Sequence, residues 1–527
     1  MAEQKLAKTR IRSNRTDGGP YDLAVIGGGI AGLGTALLWQ KTHPSDRILI
    51  VEKQPFPGGY VTAYRRKDYV FETTQLFPDI VDILDYLDVE IDLKPYEGDF
   101  MRRLVVNGDE VREYHLPSGA DNLKAALQNL FPEDARKIAR LFDYSVSMFA
   151  QVRSLKAIST PKDKLLTLVK APRVIANLNR TYTEFLDRFG IDNPELRELL
   201  DTFTSFAGVP PGRASCILTT GAMLSSISRC YRPRGYFDEF PAAMASRFQE
   251  RGGEILLNSA VDRILIRDGR AAELRISGTG EAIRAERFVS TVDPNVLVHD
   301  FVGDDHVPSA YLEKLDSTVM SPSSLNIALG LDDDIDLGAM DLDYPYNVIS
   351  TGLGTTDELF ENFLEGRNAF SENLFHMGVV CPSLTTGGKS TVTLRVVPVA
   401  PSSWLDWKTK DPGRYAEEKE RQADLFIRMA EKYLIPGLSS HIVVKDVATP
   451  ATFARYSGSP TGSLYDMASL VTQFGPKRLG LQTPIPNLVQ PKFSHGLYGS
   501  MMGAVQVVDL MMDRAFNGGD SLFSPRI

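Results

Sequence analysis

Residues 22–32, Asp22-Leu23-Ala24-Val25-Ile26-Gly27-Gly28-Gly29-Ile30-Ala31-Gly32, decide the fold. The run 22–26 is short, apolar and followed at once by glycines, the pattern of a parallel strand buried on both faces. Residues 31–42 (AGLGTALLWQKT) read as a helix and 47–51 (RILIV) as a second strand, which completes one βαβ unit. In that setting each glycine has a distinct role. Gly27 allows the tight turn, Gly29 lets the backbone approach a pyrophosphate, and Gly32 lets the helix pack closely on the strand. The phosphates then meet a helix N-terminus, whose free N–H groups and dipole favour anions. Glu52 follows Gly32 by 20 residues, at the end of the second strand. A carboxylate there accepts both hydroxyls of an adenosine ribose and repels a 2′-phosphate, so the dinucleotide is FAD or NAD rather than NADP. The G-x-G-x-x-G spacing alone is weak evidence; the agreement of strand, turn, helix, strand and acid specifies the site.

The loop continues as EKQPFPGGYV over 52–61. Gly58–Gly59 provide a second place where backbone can pass close to a dinucleotide, which a simple NAD dehydrogenase has no reason to carry. The plain alternative is an ordinary Pro-Gly turn.

The rest of the 527 residues bounds the function. Length suggests about three and a half domains. The 24% charged and 43% apolar composition is that of a globular protein. Cys216, Cys230 and Cys381 stand far apart, and the seven histidines show no HxxxH or HExxH pair, which argues against a disulfide framework and a metal centre. A net charge of -9 gives no support to nucleic-acid binding. No run of 18 apolar residues is present, so no membrane-spanning segment is predicted. Residues 1–20 are basic and lack an apolar stretch; they read as a solvated tail, with a transit peptide as the alternative.

Further along, helical periodicity marks 121–150 (broken at Pro132), 194–207, 237–252, 413–434 and 497–515. A β-rich stretch covers 254–258, 261–267, 271–276 and 282–291, with Asp268–Gly269 as a hairpin turn, and 391–399 reads as another strand.

The quoted residues resemble a known family. GGGIAG…VEKQPFPGGYVTAYRRKDYVFE is similar to the N-terminus of flavin-dependent phytoene desaturases, which group with carotenoid isomerases and retinol saturases and, more distantly, amine oxidases. The resemblance recurs at RPRGYFDEFPAAMASRFQERGGEILLNSAVDRI, through Arg287 to Pro294 (RFVSTVDP), and at Ser494-His495-Gly496-Leu497-Tyr498-Gly499. It implies an α/β fold: a Rossmann-like FAD-binding domain (21–80, 225–300 and 440–527) with an interleaved α+β substrate-binding domain (81–224 and 301–439). It further implies FAD with Gly27, Gly29, Ala31 and Gly32 at the pyrophosphate and Glu52 and Lys53 at the adenosine. Gly58, Gly59, Tyr60 and Val61 would run along the ribityl and flavin side, Val261 would hold adenine through its backbone, and the final helix, around Gly499 to Gly503, would lie near the ring. Three departures fall on the flavin half. The usual F-D-x-G is Phe71-Glu72-Thr73-Thr74, an arginine-proline is replaced by Gln482-Thr483-Pro484, and the strand ending in a flavin-contacting glycine reads Asn487-Leu488-Val489-Gln490-Pro491-Lys492.

The expected reaction is hydride exchange between flavin and an allylic carbon of a long polyene or isoprenoid lipid, whether by desaturation, saturation or isomerisation. Such chemistry asks little of side chains. His495 is the one candidate for acid/base chemistry, and Lys492 and Arg395 are candidates to stabilise an anionic reduced flavin; a turn histidine and ordinary ion pairs are the plain alternatives. A lipophilic substrate implies a protein of the cytoplasm docked peripherally on a membrane, with a plastid address left open. Residues 151–180 carry seven cations against one acid, interleaved with aliphatic residues, and read as a docking stretch or as a helical pair with a solvated basic face. Tyr182, Phe185, Phe203 and Phe206 read as tunnel wall or as core. Two other functions stay open: a flavin amine oxidase on a soluble substrate, and a non-catalytic prenyl- or lipid-binding relative, in the manner of guanine-nucleotide dissociation inhibitors, that has lost flavin chemistry.

Overall fold

The computed structural model describes residues 19–74, 76–96, 98–154, 170–352, 354–491 and 496–512. Tyr21–Ile26, Ile30–Thr42 and Ile48–Val51 form the βαβ unit, its strands parallel with Leu23 opposite Ile48. Ala282–Ser290 pairs in parallel on the other side of Tyr21–Ile26, placing Val25 opposite Val289. The full sheet runs Val261–Arg267, Arg270–Ile276, Ala282–Ser290, Tyr21–Ile26, Ile48–Val51, Glu254–Leu256, and the short Leu488–Val489 adds to Ala282–Ser290. The hairpin turn forms at Asp268 and Gly269, both with positive φ (50° and 71°), as a two-residue turn of this type demands.

Three helices, Ile30–Thr42, Glu239–Glu250 and Gly496–Met511, cover one face of this sheet. Leu33, Leu37, Phe240, Met244, Met501, Ala504 and Val508 share its core with Val25 and Val289. Close packing needs a small residue at Gly34, where a Cβ would lie 3.1 Å from the Met501 sulfur.

A second seven-stranded sheet runs Ile442–Ala448, Ser323–Leu331, Thr391–Val399, His376–Val380, Tyr346–Thr351, Asp99–Asn107, Glu110–Pro117. Only the pair Tyr346–Thr351 with Asp99–Asn107 is parallel. One face meets Trp404, Phe426 and Met429 from the helices Pro401–Lys410 and Pro412–Tyr433. Phe100, Met101 and Val348 face the helical segment between 120 and 227. Two stretches cross the domain borders expected from sequence. Ile442–Ala448 pairs with Ser323–Leu331 and so belongs to the second sheet, because its carbonyls and N–H groups complete that edge. Val81–Leu87 buries Ile83, Leu84 and Leu87 in the core of the first sheet.

Most of the basic stretch 151–180 lies outside the described residues. Its described end, Pro172–Asn177, turns Val174 into the helical core. Tyr182, Phe185 and Phe203 are core residues too; of the four aromatics, only Phe206 reaches the cavity described below.

Where the helical segment meets the second sheet, Arg103 is fully buried in mid-strand. It is held by Glu198 (3.0 Å), Ser350 (2.7 Å) and Thr202 (3.0 Å). One turn beyond Glu198, burial reinforced by the Glu198 charge pushes the Asp201 carboxyl up to about 8, and its buried Oδ1 has no hydrogen-bond partner. Asp201 therefore holds a proton in the fold that the unfolded chain has lost. The folded state binds more protons between the ordinary carboxylate value and about 8, so stability falls as pH rises through that window. Asp201→Asn removes this titration. Its advantage in Tm over the parent protein is expected to widen from pH 5 to pH 8 in thermal scans; an advantage of one size at both values would show that Asp201 does not titrate in the fold.

Candidate active site

The glycine turn is sterically closed to larger residues. Gly27 has φ +102°, and a Cβ there would meet the Thr291 hydroxyl oxygen at 2.2 Å. Thr291 is anchored in turn, its hydroxyl donating to the Ile26 carbonyl at 3.0 Å. A Cβ on Gly32 would come within 2.0 Å of the Gly27 carbonyl oxygen. Gly28 holds the acid in place, its N–H donating to Glu52 Oε2 at 2.6 Å. The Gln54 N–H donates to Glu52 Oε1 at 2.7 Å. Glu52 is buried, yet a carboxylate has about four acceptor positions. With one N–H on each oxygen, both oxygens keep an acceptor position for a ligand.

The second glycine pair clasps the first. The Gly58 N–H donates to the Gly28 carbonyl at 2.8 Å. A Cβ on Gly59 would lie 3.2 Å from the Gly29 Cα, and Gly58 has φ +129° with the Val61 carbonyl 2.5 Å from its virtual Cβ. The helix Pro450–Ser457 and the loop after it cap this clasp. The Gln54 amide donates to the Tyr456 carbonyl (2.9 Å), Lys53 Nζ lies 3.4 Å from the Arg455 carbonyl, and the Tyr60 hydroxyl donates to the Ser463 carbonyl (2.9 Å). Burial pulls the Lys53 ammonium below its usual value, against the pull of Glu52.

The departures on the flavin half have structural substitutes. Thr73 stands near the lost glycine. Its hydroxyl accepts the Thr62 N–H (3.1 Å) and lies 2.5 Å from the Tyr60 carbonyl, so a side chain ties down the loop after the glycine pair. Glu72 is buried in an ion pair with Arg232 and accepts the Phe237 N–H at 2.8 Å. Burial raises its carboxyl, with Arg232 opposing. In place of an arginine, the Gln482 amide donates to carbonyls of the turn before Leu488–Val489, including Thr483 and Ile485 at 3.1 Å. Asn487 secures the same strand through the Ala271 (2.9 Å) and Glu286 (2.8 Å) carbonyls.

These elements enclose one cavity of about 1310 Å³. An ordinary single-ligand pocket is roughly 300–1,000 Å³, so the space accommodates a cofactor and a second molecule. Gly27, Gly29, Ala31, Glu52, Lys53, Gly58, Gly59, Tyr60, Val61 and Val261 all line it. Gly32 does not; it is a packing residue behind the turn. The final helix meets the cavity through Gly496, Leu497, Tyr498 and Ser500 rather than through Gly499 and Gly503. Gly503 packs on the Pro491 carbonyl, 3.0 Å from its virtual Cβ. At about 1.5 Å rise per residue it lies two turns from the helix end that faces the cavity. His495 and Lys492 lie outside the described residues.

Beyond the glycine loops the cavity opens onto the second sheet, at Ser324, Asn326, Tyr346, His376 and Arg395, and onto helical residues Thr202, Ser205, Phe206 and Ala222. Reading along the chain missed this compartment. Its local signals were Phe206, read as tunnel wall or core, and Arg395, a charge in the middle of the apolar run TVTLRVVPV. Arg395 is no surface ion-pair residue: it donates to the Thr73 (2.8 Å) and Glu72 (3.2 Å) carbonyls. His376 is neutral, since burial first and the Arg103 charge second pull it down to about 3, and its Nδ1 faces the Val397 carbonyl at 3.2 Å.

The chain is similar to known proteins along most of its length. The family described as flavin containing amine oxidoreductase matches residues 30–417. The all-trans-retinol 13,14-reductase of Danio rerio is 24% identical over 94% of this chain and 86% of its own length. A lycopene-forming phytoene desaturase of a Paracoccus species is 24% identical over 85% and 88%, and prolycopene isomerase 1 of an Oncidium hybrid is 23% identical over 84% and 75%. Among solved structures, putrescine oxidase bound to putrescine superposes with a TM-score of 0.62 at 14% identity, covering 94% of this chain and 99% of that one. The glycine turn of the βαβ unit, the buried acid at Glu52 and the family match across most of the chain lead to one conclusion: this protein belongs to the family of flavin-containing amine oxidoreductases and is an FAD-dependent oxidoreductase of amine-oxidase-like fold.

Proposed function

We propose that the protein exchanges a hydride between FAD and an allylic carbon of a long polyene or isoprenoid lipid, as a carotenoid desaturase, saturase or isomerase would. The observation that carries this reading is the extent of the cavity, which is lined both by the glycine loops and by the second sheet at Ser324, Asn326, Tyr346, His376 and Arg395. Retinol and carotenoid proteins among its relatives, each similar along most of the chain, support a polyene over a soluble amine.

In this reading Glu52 accepts the ribose hydroxyls and Lys53 flanks the adenosine. Val261 lies at adenine, and the N–H groups at Gly29 to Ala31 face the pyrophosphate. Gly58, Gly59, Tyr60, Val61 and Thr73 shape the passage for the ribityl chain and ring. Bound there, the flavin supplies the hydride acceptor or donor. The protein orients the substrate against it and excludes water, a role that requires no catalytic acid or base. Neutral His376 and the hydroxyls around it line the substrate compartment without adding a titrating group near neutral pH.

A forty-carbon chain does not leave a bilayer unaided, because each buried CH₂ is worth about 0.8 kcal/mol. The protein is therefore proposed to act while docked on a membrane of the cytoplasm, drawing the chain in. The test is the visible spectrum of the purified protein, followed by turnover of polyenes presented in liposomes. Flavin bands with polyene-dependent reduction or isomer change support the reading. Bleaching by simple amines instead would replace it with amine oxidation, and a colourless protein that stays so with added FAD would leave a lipid-binding role. Glu52→Gln puts an NH₂ where Gly28 or Gln54 already donates and removes the charge facing the ribose. FAD affinity is expected to fall about ten- to a hundredfold, a difference of roughly 1.4–2.8 kcal/mol, measured by titrating the apoprotein.

A further inference from the structure

Arg395, a candidate from sequence to stabilise a reduced flavin, is a half-buried cation that has no part in the function proposed above. It sits in the middle of Thr391–Val399, surrounded by protein but open to the cavity. A guanidinium has five N–H donors. Here one nitrogen donates to the Thr73 carbonyl and another to the Glu72 carbonyl, while the buried Nε meets no acceptor. Among the described residues it forms no ion pair. The carboxylates on nearby strands pair with other cations, Glu72 with Arg232 and Asp446 with Arg66 at 2.8 Å, and the Glu72 carboxylate acts on Arg395 through its charge alone. The contrast with Arg103 and Arg232, each buried against its own carboxylate, is direct. Arg395 keeps N–H donors without an ion-pair partner at the cavity, and a carboxylate brought to it gains the strong charge-assisted hydrogen bonds of an arginine pair. The surroundings are also unlike a pocket for bare hydrocarbon. Ser324, Asn326 and Tyr346 line the same floor, and Tyr465 lines the cavity too.

We infer that Arg395 is the receptor for an anionic end group, and that the substrate of the proposed reaction is a polyene carboxylate rather than a hydrocarbon polyene. The inference rests on the polyene reading above and narrows it. Arg395 holds the Thr73 and Glu72 carbonyls beside the loop that follows Gly58–Gly59, so a carboxylate on it would anchor the chain at the junction of the cofactor and substrate compartments.

The test compares two probes that differ only in charge, all-trans-retinoate and its methyl ester, binding to the flavin-loaded protein at pH 8. Binding is followed by the shift of the flavin absorption bands and by tryptophan fluorescence. The acid is expected to bind roughly ten- to a hundredfold more tightly than the ester. Arg395→Gln should abolish that preference, bringing the acid-to-ester affinity ratio to about one, and Arg395→Lys should retain part of it. Equal affinities in the parent protein overturn the inference while the polyene reading stands. So does a preference that survives Arg395→Gln, including the case in which that variant instead lowers the flavin reduction potential and thereby assigns Arg395 to the cofactor. A protein that binds neither probe overturns both readings. If Arg395→Gln does not fold, the parent comparison and Arg395→Lys decide.

Discussion

Gly32→Ala is expected to purify as a colourless protein. The added methyl group would stand 2.0 Å from the Gly27 carbonyl oxygen and within 3.3 Å of the Val25 side chain, and neither can step aside. Val25 is fully buried between Ile50 and Val289 in the central strand, and the Gly27 N–H is tied to the Val51 carbonyl at 2.8 Å. The helix Ile30–Thr42 must move instead, and it carries the N–H groups proposed to face the pyrophosphate. Misplacing such groups by an ångström costs on the order of a hundredfold, so FAD should be lost during purification. Flavin content per chain, from the absorption of the heat-released supernatant, gives the measurement. The variant should also melt lower, because the same helix packs against Met501 and Ala504 of the final helix. A Gly32→Ala protein with full flavin and unchanged Tm would mean that the turn is far looser than its contacts indicate.

Arg103→Met is expected to be among the most destabilising single changes outside the cofactor site. The guanidinium is fully buried and the Glu198 side chain is only 4% exposed. Truncating the arginine leaves Glu198 with the Gly354 N–H, at 3.3 Å, as its remaining hydrogen bond among these contacts. Breaking a buried pair from one side costs about 3–5 kcal/mol, because the surviving charge has neither water nor partner. At roughly 2–4 °C per kcal/mol, the midpoint for the part of the fold that joins the second sheet to the helical segment should drop by about 6–20 °C. The double variant Arg103→Met/Glu198→Leu should recover most of that loss, since it removes both charges and keeps the volume apolar. Thermal unfolding of the parent, the two single variants and the double variant measures the coupling. A double variant no better than Arg103→Met would show that Ser350 and Thr202, and not Glu198, are what Arg103 chiefly serves.

The βαβ unit, the hairpin at Asp268–Gly269 and the acid at Glu52 were legible because each is a local rule: apolar runs of strand length, two residues that tolerate positive φ, and a fixed chain distance from the glycine turn. The second sheet was not. Of its strands only Thr391–Val399 stood out, since Asp99–Asn107 carries Arg102 and Arg103 in its centre and resembles a strand only once Glu198 and Ser350 are known to meet it. The same holds for Thr73, whose hydroxyl replaces the restraint expected of a missing glycine by reaching a loop 11 residues away.

The sequence by itself therefore determined the cofactor's class, because the glycine turn and the acid at Glu52 lie inside one continuous βαβ segment. How the other end of the cavity is assembled was decided by tertiary structure. Gly58–Gly59, Thr73, the start of the final helix and the floor around Arg395 come from segments hundreds of residues apart. Whether an arginine in mid-strand has a carboxylate partner is a property of the neighbours brought to it, and no spacing along the chain encodes that.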